Sequence, residues 1–501
     1  MIDTSAIDPA FLALPLSSCA DAALAEAAAS GAAEVLLRIH KLQSLALTTH
    51  DAQLEGEQES TDIAMGVRVL VRGVWGFAAG TVITPAAASE LTRQAVQMAA
   101  LSAPLNRDIL TPAAEPNPGI VHWVAPYRID PFDVPADERL AWFTEQSARL
   151  LHSPDVDHVD TDLEAVRETT FLALTNGSTI TQQRVRLGAN LRVTAVDERG
   201  FETLRTVAPP AGRGWEFLTD GEYDWSTEVG QLPDLLAEKR RSPSIDAGQH
   251  DLVIDATNLW LTIHESIGHA TELDRILGYE ANYAGTSFVP ADGVGSLQYG
   301  SAAMNIQGDR TTPHGLATTG WDDEGVPAGQ WQIVSEGVLT GFQLDRATAG
   351  RIGETQSNGC SFADSGSSFP LQRMANISLL PAPAGPTIAG LLEQLGDGLY
   401  IVGDNSWSID MQRYNFQFTG QRVHRVKGGR IVGQVRDAAY QGRTPDFWGS
   451  MEATGGPDTY RLMGALNCGK AQPGQTAPVS HGSAAGLFRG VNILNTRQEA
   501  Q

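Results

Sequence analysis

LVIDATNLWLTIHESIGHATELDRILG, residues 252–278, is the stretch on which the reading of the fold turns. It opens in a short strand, Asp251–Asp255. A helix follows, from Thr257 or Asn258 to a stop before Gly278. Leu259, Ile263, Ile267, Ala270, Leu273 and Leu277 recur at the helical period and make one apolar stripe that needs burying. His264 and His269 fall off that stripe, so packing alone leaves them on the exposed side. Beyond Gly278 the chain reads as short strands and glycine turns: Gln332–Ser335, Gly337–Asp345, Gly398–Val402, Phe416–Val426 and Arg430–Val435.

Upstream the pattern differs. An alanine-rich helix, Ser17–Ser30, stops at Gly31 and is followed by strands at Glu34–Arg38, Ser44–Thr49, Gly66–Arg72 and Val74–Ala78. Thr84-Pro85 opens a second helix with a capping hydroxyl and a proline at the first helical position. After a proline-rich loop at about 104–131 comes a helix over Pro135–His152. Asn176-Gly177 then marks a hairpin between Phe171–Thr175 and Ser178–Arg184. Strands at Ala189–Asp197 and Phe201–Val207 and a helix at Glu228–Arg240 lead to a boundary between 242 and 250. The expected fold is α+β: an N-terminal α/β domain, 1–245, then a β-rich C-terminal domain, 246–501, with the 252–278 helix at its start. No period of 20–50 residues suggests a repeat architecture.

Composition narrows the function. At 501 residues the chain is too long for one ordinary core. A hydrophobic share of 42% and a charged share of 19% are those of a globular protein. The formal charge of −24 disfavours nucleic acid and anionic membrane surfaces, which both need a basic face. No window reaches the roughly 20 apolar residues of a membrane-spanning helix. Met1–Ser18 carries Asp3 and Asp8 but no Lys or Arg, so it lacks the positive n-region of a secretory signal. Cys19, Cys360 and Cys468 are too few and too scattered for a disulfide framework, and a reducing, cytoplasmic compartment is expected.

His264-Glu265-Ser266-Ile267-Gly268-His269 differs by one residue from the H-E-x-x-H pattern that binds zinc on a helix. Four positions apart, two histidines stand about 40° apart around the axis; five positions apart, as His264 and His269 are, about 140°. They can share one ion only if the helix widens locally, as a π-type bulge does. Gly268 would ease that distortion. A catalytic zinc also needs a third protein ligand. The candidates are His314, His424, His481, Cys360, Cys468, Glu272 and Asp274. Cys468 stands out, because Asn467-Cys468-Gly469-Lys470 reads as a polar loop, a poor place for a thiol that is merely a small hydrophobe. Lys470 would help to keep it deprotonated. Glu265 would be the general base, acting on a zinc-bound water.

Several further segments resemble the TldD/PmbA family of metallopeptidases. They are Glu272-Leu273-Asp274, Ala284-Gly285-Thr286-Ser287-Phe288, Asp322-Asp323-Glu324-Gly325-Val326-Pro327, Glu336 to Phe342, Pro370 to Asn376, and Cys468-Gly469-Lys470 followed by Gly474-Gln475 and Pro478-Val479. Gly66-Val67-Arg68-Val69 resembles the family's first domain. The resemblance implies zinc held by His264, His269 and Cys468. It also implies hydrolysis of unstructured peptides inside a dimer, formed with a second copy or with a related metal-free subunit. Because the motif is intact, the chain resembles the catalytic TldD type. Two departures stand out. His481 either reaches into the site or faces solvent, with solvent the favoured reading. Trp407 replaces a glycine-rich stretch and would alter substrate packing. Two other readings remain: a non-catalytic peptide-binding or partner subunit, and a different hydrolase, such as a deformylase, using the same ligand set with zinc or iron.

Overall fold

The computed structural model describes residues 7–106, 109–198 and 200–499; the first six residues of the N-terminal stretch discussed above lie outside them. Among the described residues a seven-stranded sheet organises the first half. Its strands are β1 (Glu34–His50), β2 (Gln53–Val71), β3 (Val74–Gly80), β4 (Ile120–Val124), β5 (His158–Leu174), β6 (Thr179–Asp197) and β7 (Gly200–Arg205). They run in the order β3-β2-β1-β5-β6-β4, with β7 also on β6. All neighbours are antiparallel except β4 and β6. The strands are longer than the apolar runs that announced them: Glu34–Arg38 and Ser44–Thr49 are two ends of the single strand β1.

Strand alternation assigns the two faces of this sheet opposite tasks. Odd-numbered residues such as Val35, Leu37, Ile39, Phe171 and Ala173 pack under the helices Leu16–Ala29 and Pro85–Ser102. Farther along the same face, Leu45, Leu47, Val159, Leu163 and Ala165 pack under Ala136–Leu151 and Trp225–Arg241. Even-numbered residues make a polar face turned toward the second half. Arg38 pairs with Asp323, Arg68 with Glu324 at 2.6 Å, and Arg186 Nε donates to the Leu316 carbonyl at 2.8 Å. Glu168 accepts from both Arg184 and Arg186, at 2.6 and 2.8 Å.

The second half carries two further large sheets among the described residues. One runs Val338–Leu339, Gln330–Ser335, Ile306–Asp309, Asn376–Leu379, Gln475–Ser483, Arg461–Lys470. The other is built around Gly248–Ile254, which lies between Gly398–Ile409 and Gly486–Asn495. The 252–278 stretch threads between them as one strand and one broken helix. Its apolar stripe, from Leu259 to Leu273, is buried in the largest core cluster. The architecture is thus mixed α+β, with a β-rich second half.

Candidate metal centre

The helix does not run evenly to Gly278. It is regular over Ala256–Ile263, a π turn over His264–Gly268, a 3-10 turn over His269–Thr271, and helical again over Leu273–Ile276. The His269 N–H reaches back five residues to the His264 carbonyl. Widening the turn takes carbonyls off the usual ladder, and buried side chains satisfy them. Tyr299 donates to the Ser266 carbonyl, and Gln343 Nε2 donates to the Gly268 carbonyl at 2.6 Å. Gly268 serves a purpose other than the expected one. Its backbone is ordinary right-handed helix, φ −52°. Its missing Cβ is what matters, because one would lie 2.4 Å from the Met374 sulfur.

The π turn brings His264 and His269 to one side, with ring centroids 4.6 Å apart. Both are buried, not exposed. Cys468 joins them: ligand atoms of His264, His269 and Cys468 lie within 4.8 Å of one another. Cys468 is not in a loop. It sits on the strand Arg461–Lys470, opposite Ala477, just after an irregularity that leaves Leu466 and Asn467 out of the ladder. Burial would raise its thiol pKa, but His269 and Arg373 outweigh that and bring it below the ordinary thiol value.

The hydrogen bonds around the three residues fix which atoms they offer one another. The Ile377 carbonyl can only accept, so the His481 Nδ1 beside it, at 3.0 Å, donates. Neutral His481 then accepts at Nε2 from His264 Nδ1, 2.7 Å away. That leaves a lone pair on His264 Nε2. Burial lowers the pKa of both rings, which keeps them neutral. His269 Nδ1 donates to Glu272 Oε2 at 2.9 Å, which frees its Nε2, 3.5 Å from Cys468 Sγ. With bonds of about 2.0–2.1 Å to nitrogen and 2.3 Å to sulfur, a tetrahedral zinc site puts N and S about 3.6 Å apart. The donor set and its spacing therefore fit a zinc ion.

His481 thus neither faces solvent nor points at substrate; it is fully buried and orients His264. Glu272 orients His269. Burial works against the charge on Glu272, but Lys470 and His269 hold its pKa well below the ordinary carboxylate range. Lys470 does not serve the thiol as expected. It bonds Glu272 at 3.0 Å, Asp274 at 2.8 Å and the Gln372 carbonyl at 2.9 Å. The other candidates lie elsewhere: His314 bonds the Gly212 carbonyl, His424 stacks on Tyr400, and burial raises the Cys360 thiol to about 12.

Glu265 follows His264 on the same turn and faces a cleft of about 680 Å³ that also exposes His264, His269 and Cys468. Both of its oxygens are held by the hairpin over residues 398–427. Trp407 Nε1 donates to Oε1 at 3.0 Å and Arg413 Nη1 to Oε2 at 2.5 Å. Burial pushes the Glu265 pKa up, yet it lies below the ordinary value, with the Arg413 guanidinium and the Trp407 hydrogen bond both acting to lower it. Arg413 was not anticipated, since no local pattern marks a residue that acts across 148 positions. The opposite wall of the cleft is the polar face of the first sheet, through Asp162, Glu164, Asn190 and Arg192.

Fold and site together describe a mixed α+β protein with a buried His/His/Cys cluster of the kind that holds a metal. The model of the PmbA/TldA metallopeptidase C-terminal domain matches residues 247–493, and that of PmbA/TldA metallopeptidase domain 1 matches 35–99. The chain belongs to the TldD/PmbA family of metallopeptidases. A metalloprotease of Methanothermobacter thermautotrophicus is 27% identical over 450 residues, 89% of this chain and 92% of that one. A zinc metalloprotease TldD homolog of Saccharolobus solfataricus is 24% identical over 52% of this chain and 55% of its own. TldE of Thermococcus kodakarensis shares the fold at a TM-score of 0.70 and 14% identity, covering 95% of this chain and 99% of that one. No helix among the described residues is long and apolar enough to cross a membrane.

Proposed function

We propose that this chain is a catalytic, zinc-dependent peptidase that hydrolyses unstructured peptides. His264, His269 and Cys468 hold the ion and Glu265 is the general base. The observation that carries this reading is the convergence of three donor atoms whose outward partners are already fixed, beside a carboxylate that opens on a cleft. When bound, zinc supplies a Lewis acid that polarises a carbonyl and makes water a nucleophile near neutral pH. The chain's own residues do the rest. Glu265 takes a proton from the attacking water and returns it to the leaving amine. Arg413 and Trp407 keep it ionised and aimed. Leu466 and Asn467, outside their strand's ladder and lining the cleft, offer backbone groups to an extended peptide.

Other parts of the reading follow from this one. Residues 1–245 and 246–501 act as two domains with the cleft between them, in a cytoplasmic enzyme. The enzyme works as a homodimer or beside a related metal-free subunit, a pairing that the shared fold with TldE supports. A purely non-catalytic role is disfavoured by the intact ligand set. Glu265→Gln tests the mechanism: the Cys468-dependent zinc equivalent should be retained while hydrolysis of an unfolded peptide falls by about 10²–10⁴-fold. Cleavage at the wild-type rate by that variant would remove Glu265 from the mechanism.

A further inference from the structure

The polar face of the first sheet continues past the cleft. His158 and Asp160 share the alternation of Asp162 and Glu164, and His50 lies opposite Asp160 in the β1–β5 register. At this outer end ligand atoms of His50, Asp51 and His158 lie within 4.8 Å of one another. From His158 to Asp162, the first cleft residue on β5, the strand rises about 13 Å.

We propose that His50, Asp51 and His158 form a second metal site that binds one divalent transition-metal ion of the zinc class and ties the β1–β2 turn to the start of β5. The site does not depend on the peptidase reading. Its geometry repeats the logic of the buried cluster. Asp160 Oδ1 lies 2.8 Å from His50 Nδ1, so that nitrogen donates and Nε2 is left with the lone pair. His50 Nε2 faces Asp51 Oδ2 at 3.3 Å, and the same oxygen lies 2.9 Å from His158 Nδ1. Donor atoms around a tetrahedral ion stand about 3.3–3.5 Å apart; the 3.3 Å spacing matches this, and the 2.9 Å one is a hydrogen bond that an ion would replace with a small widening. The Asp51 carboxylate is already oriented, because its Oδ1 accepts the Val159 N–H at 2.9 Å. Asp51 and Ala52 are both left-handed, at φ 47° and 61°, and make the tight two-residue turn that sets Asp51 beside the two rings. The imidazoles of His50 and His158 stack, with centroids 5.4 Å apart and planes 22° apart.

The gap between His50 Nε2 and Asp51 Oδ2 calls for a positive charge. With neutral rings, two acceptors, His50 Nε2 and Asp51 Oδ2, face each other across 3.3 Å. A cation between them is required: a proton on His50 Nε2, with a neutral His158 donating to the same carboxylate from its Nδ1–H, or one metal ion in its place. Both rings are partly exposed, so water completes the coordination and the site binds more weakly than a buried one.

The test is titration of the full-length protein with Zn²⁺ against a chelator of known affinity, repeated with Co²⁺. The expected result is two equivalents per chain. The weaker one is lost in His50→Ala/His158→Ala, kept in Cys468→Ser, and weakened at least about 10-fold in the near-isosteric Asp51→Asn. With Co²⁺, only the equivalent that Cys468→Ser removes should show thiolate charge-transfer absorption. In Cys468→Ser, Zn²⁺ should raise Tm, and the added His50→Ala/His158→Ala changes should abolish the rise. Uptake of the same number of equivalents by Asp51→Asn and the double histidine variant, at unchanged affinity, overturns the proposal. Failure of the Cys468-dependent equivalent alone would count against the peptidase reading and leave this site standing.

Discussion

Two buried polar clusters in this protein, the ion pairs between the first sheet and the second half and the metal centre, are built on different rules. Where the first sheet meets the second half, Arg38 and Asp323, Arg68 and Glu324, and Glu168 with Arg184 and Arg186 close on each other, so that each charge ends on an opposite one. At the metal centre the hydrogen bonds run outward. His264 leans on His481 and His269 on Glu272, while the inner nitrogens and the Cys468 sulfur are left facing one another. Burial of polar groups is costly in both places. In the first the cost is offset by pairing and joins two layers. In the second it is left open on one side, which is how a fold holds a place for a ligand.

Removing an inner atom should have the largest effect. Cys468→Ser should lose the tighter zinc equivalent and peptide hydrolysis together, by metal analysis and a cleavage assay, with the fold intact by circular dichroism. Breaking the closed cluster should do the reverse. Asp323→Ala leaves the Arg38 guanidinium buried without its carboxylate, at a cost of about 3–5 kcal/mol in denaturant unfolding. Zinc per folded chain should stay unchanged.

The next effect is a pH dependence. His40 is fully buried beside Glu168, its Nε2 3.4 Å from that carboxylate. Burial lowers its pKa from 6.5 to about 4, although Glu168 acts in the opposite direction. In the unfolded chain His40 takes a proton as the pH falls through about 6.5; in the folded chain it does so only near 4. Over that window the unfolded state binds more protons, and folding stability falls. His40→Gln should remove on the order of 3 kcal/mol of this fall, measured by unfolding at pH 7 and pH 4. An unchanged slope would mean that His40 is not held neutral.

The smallest effect is expected from an outward partner. His481→Phe keeps a ring against Trp260 but leaves His264 Nδ1 without its acceptor. Zinc affinity should fall about 10–100-fold, without loss of the site.

How much of this the sequence carried depended on distance along the chain. The five-residue spacing of the histidines demanded a widened turn, because helical geometry is local, and the π turn over His264–Gly268 is that turn. The mixed fold and its β-rich second half were also readable from local periodicity. The misreadings came where tertiary context decides. Asn467 and Gly469 make Cys468 look like a loop residue, yet a bulged strand uses the same small and polar residues. His481 reads as a surface residue until the strand Gln475–Ser483 sets it against a helix 217 positions earlier. Gly268 looked like a source of backbone freedom, but only its packing on Met374 shows that the need is for space. The strands of the first sheet ran beyond their apolar stretches because their even-numbered residues belong to a polar face.

Zinc K-edge X-ray absorption on protein loaded with one equivalent tests the central claim most directly. The account predicts two nitrogen ligands at about 2.0–2.1 Å and one sulfur at about 2.3 Å, with the sulfur shell absent in Cys468→Ser. A wild-type spectrum with only nitrogen and oxygen neighbours would contradict it.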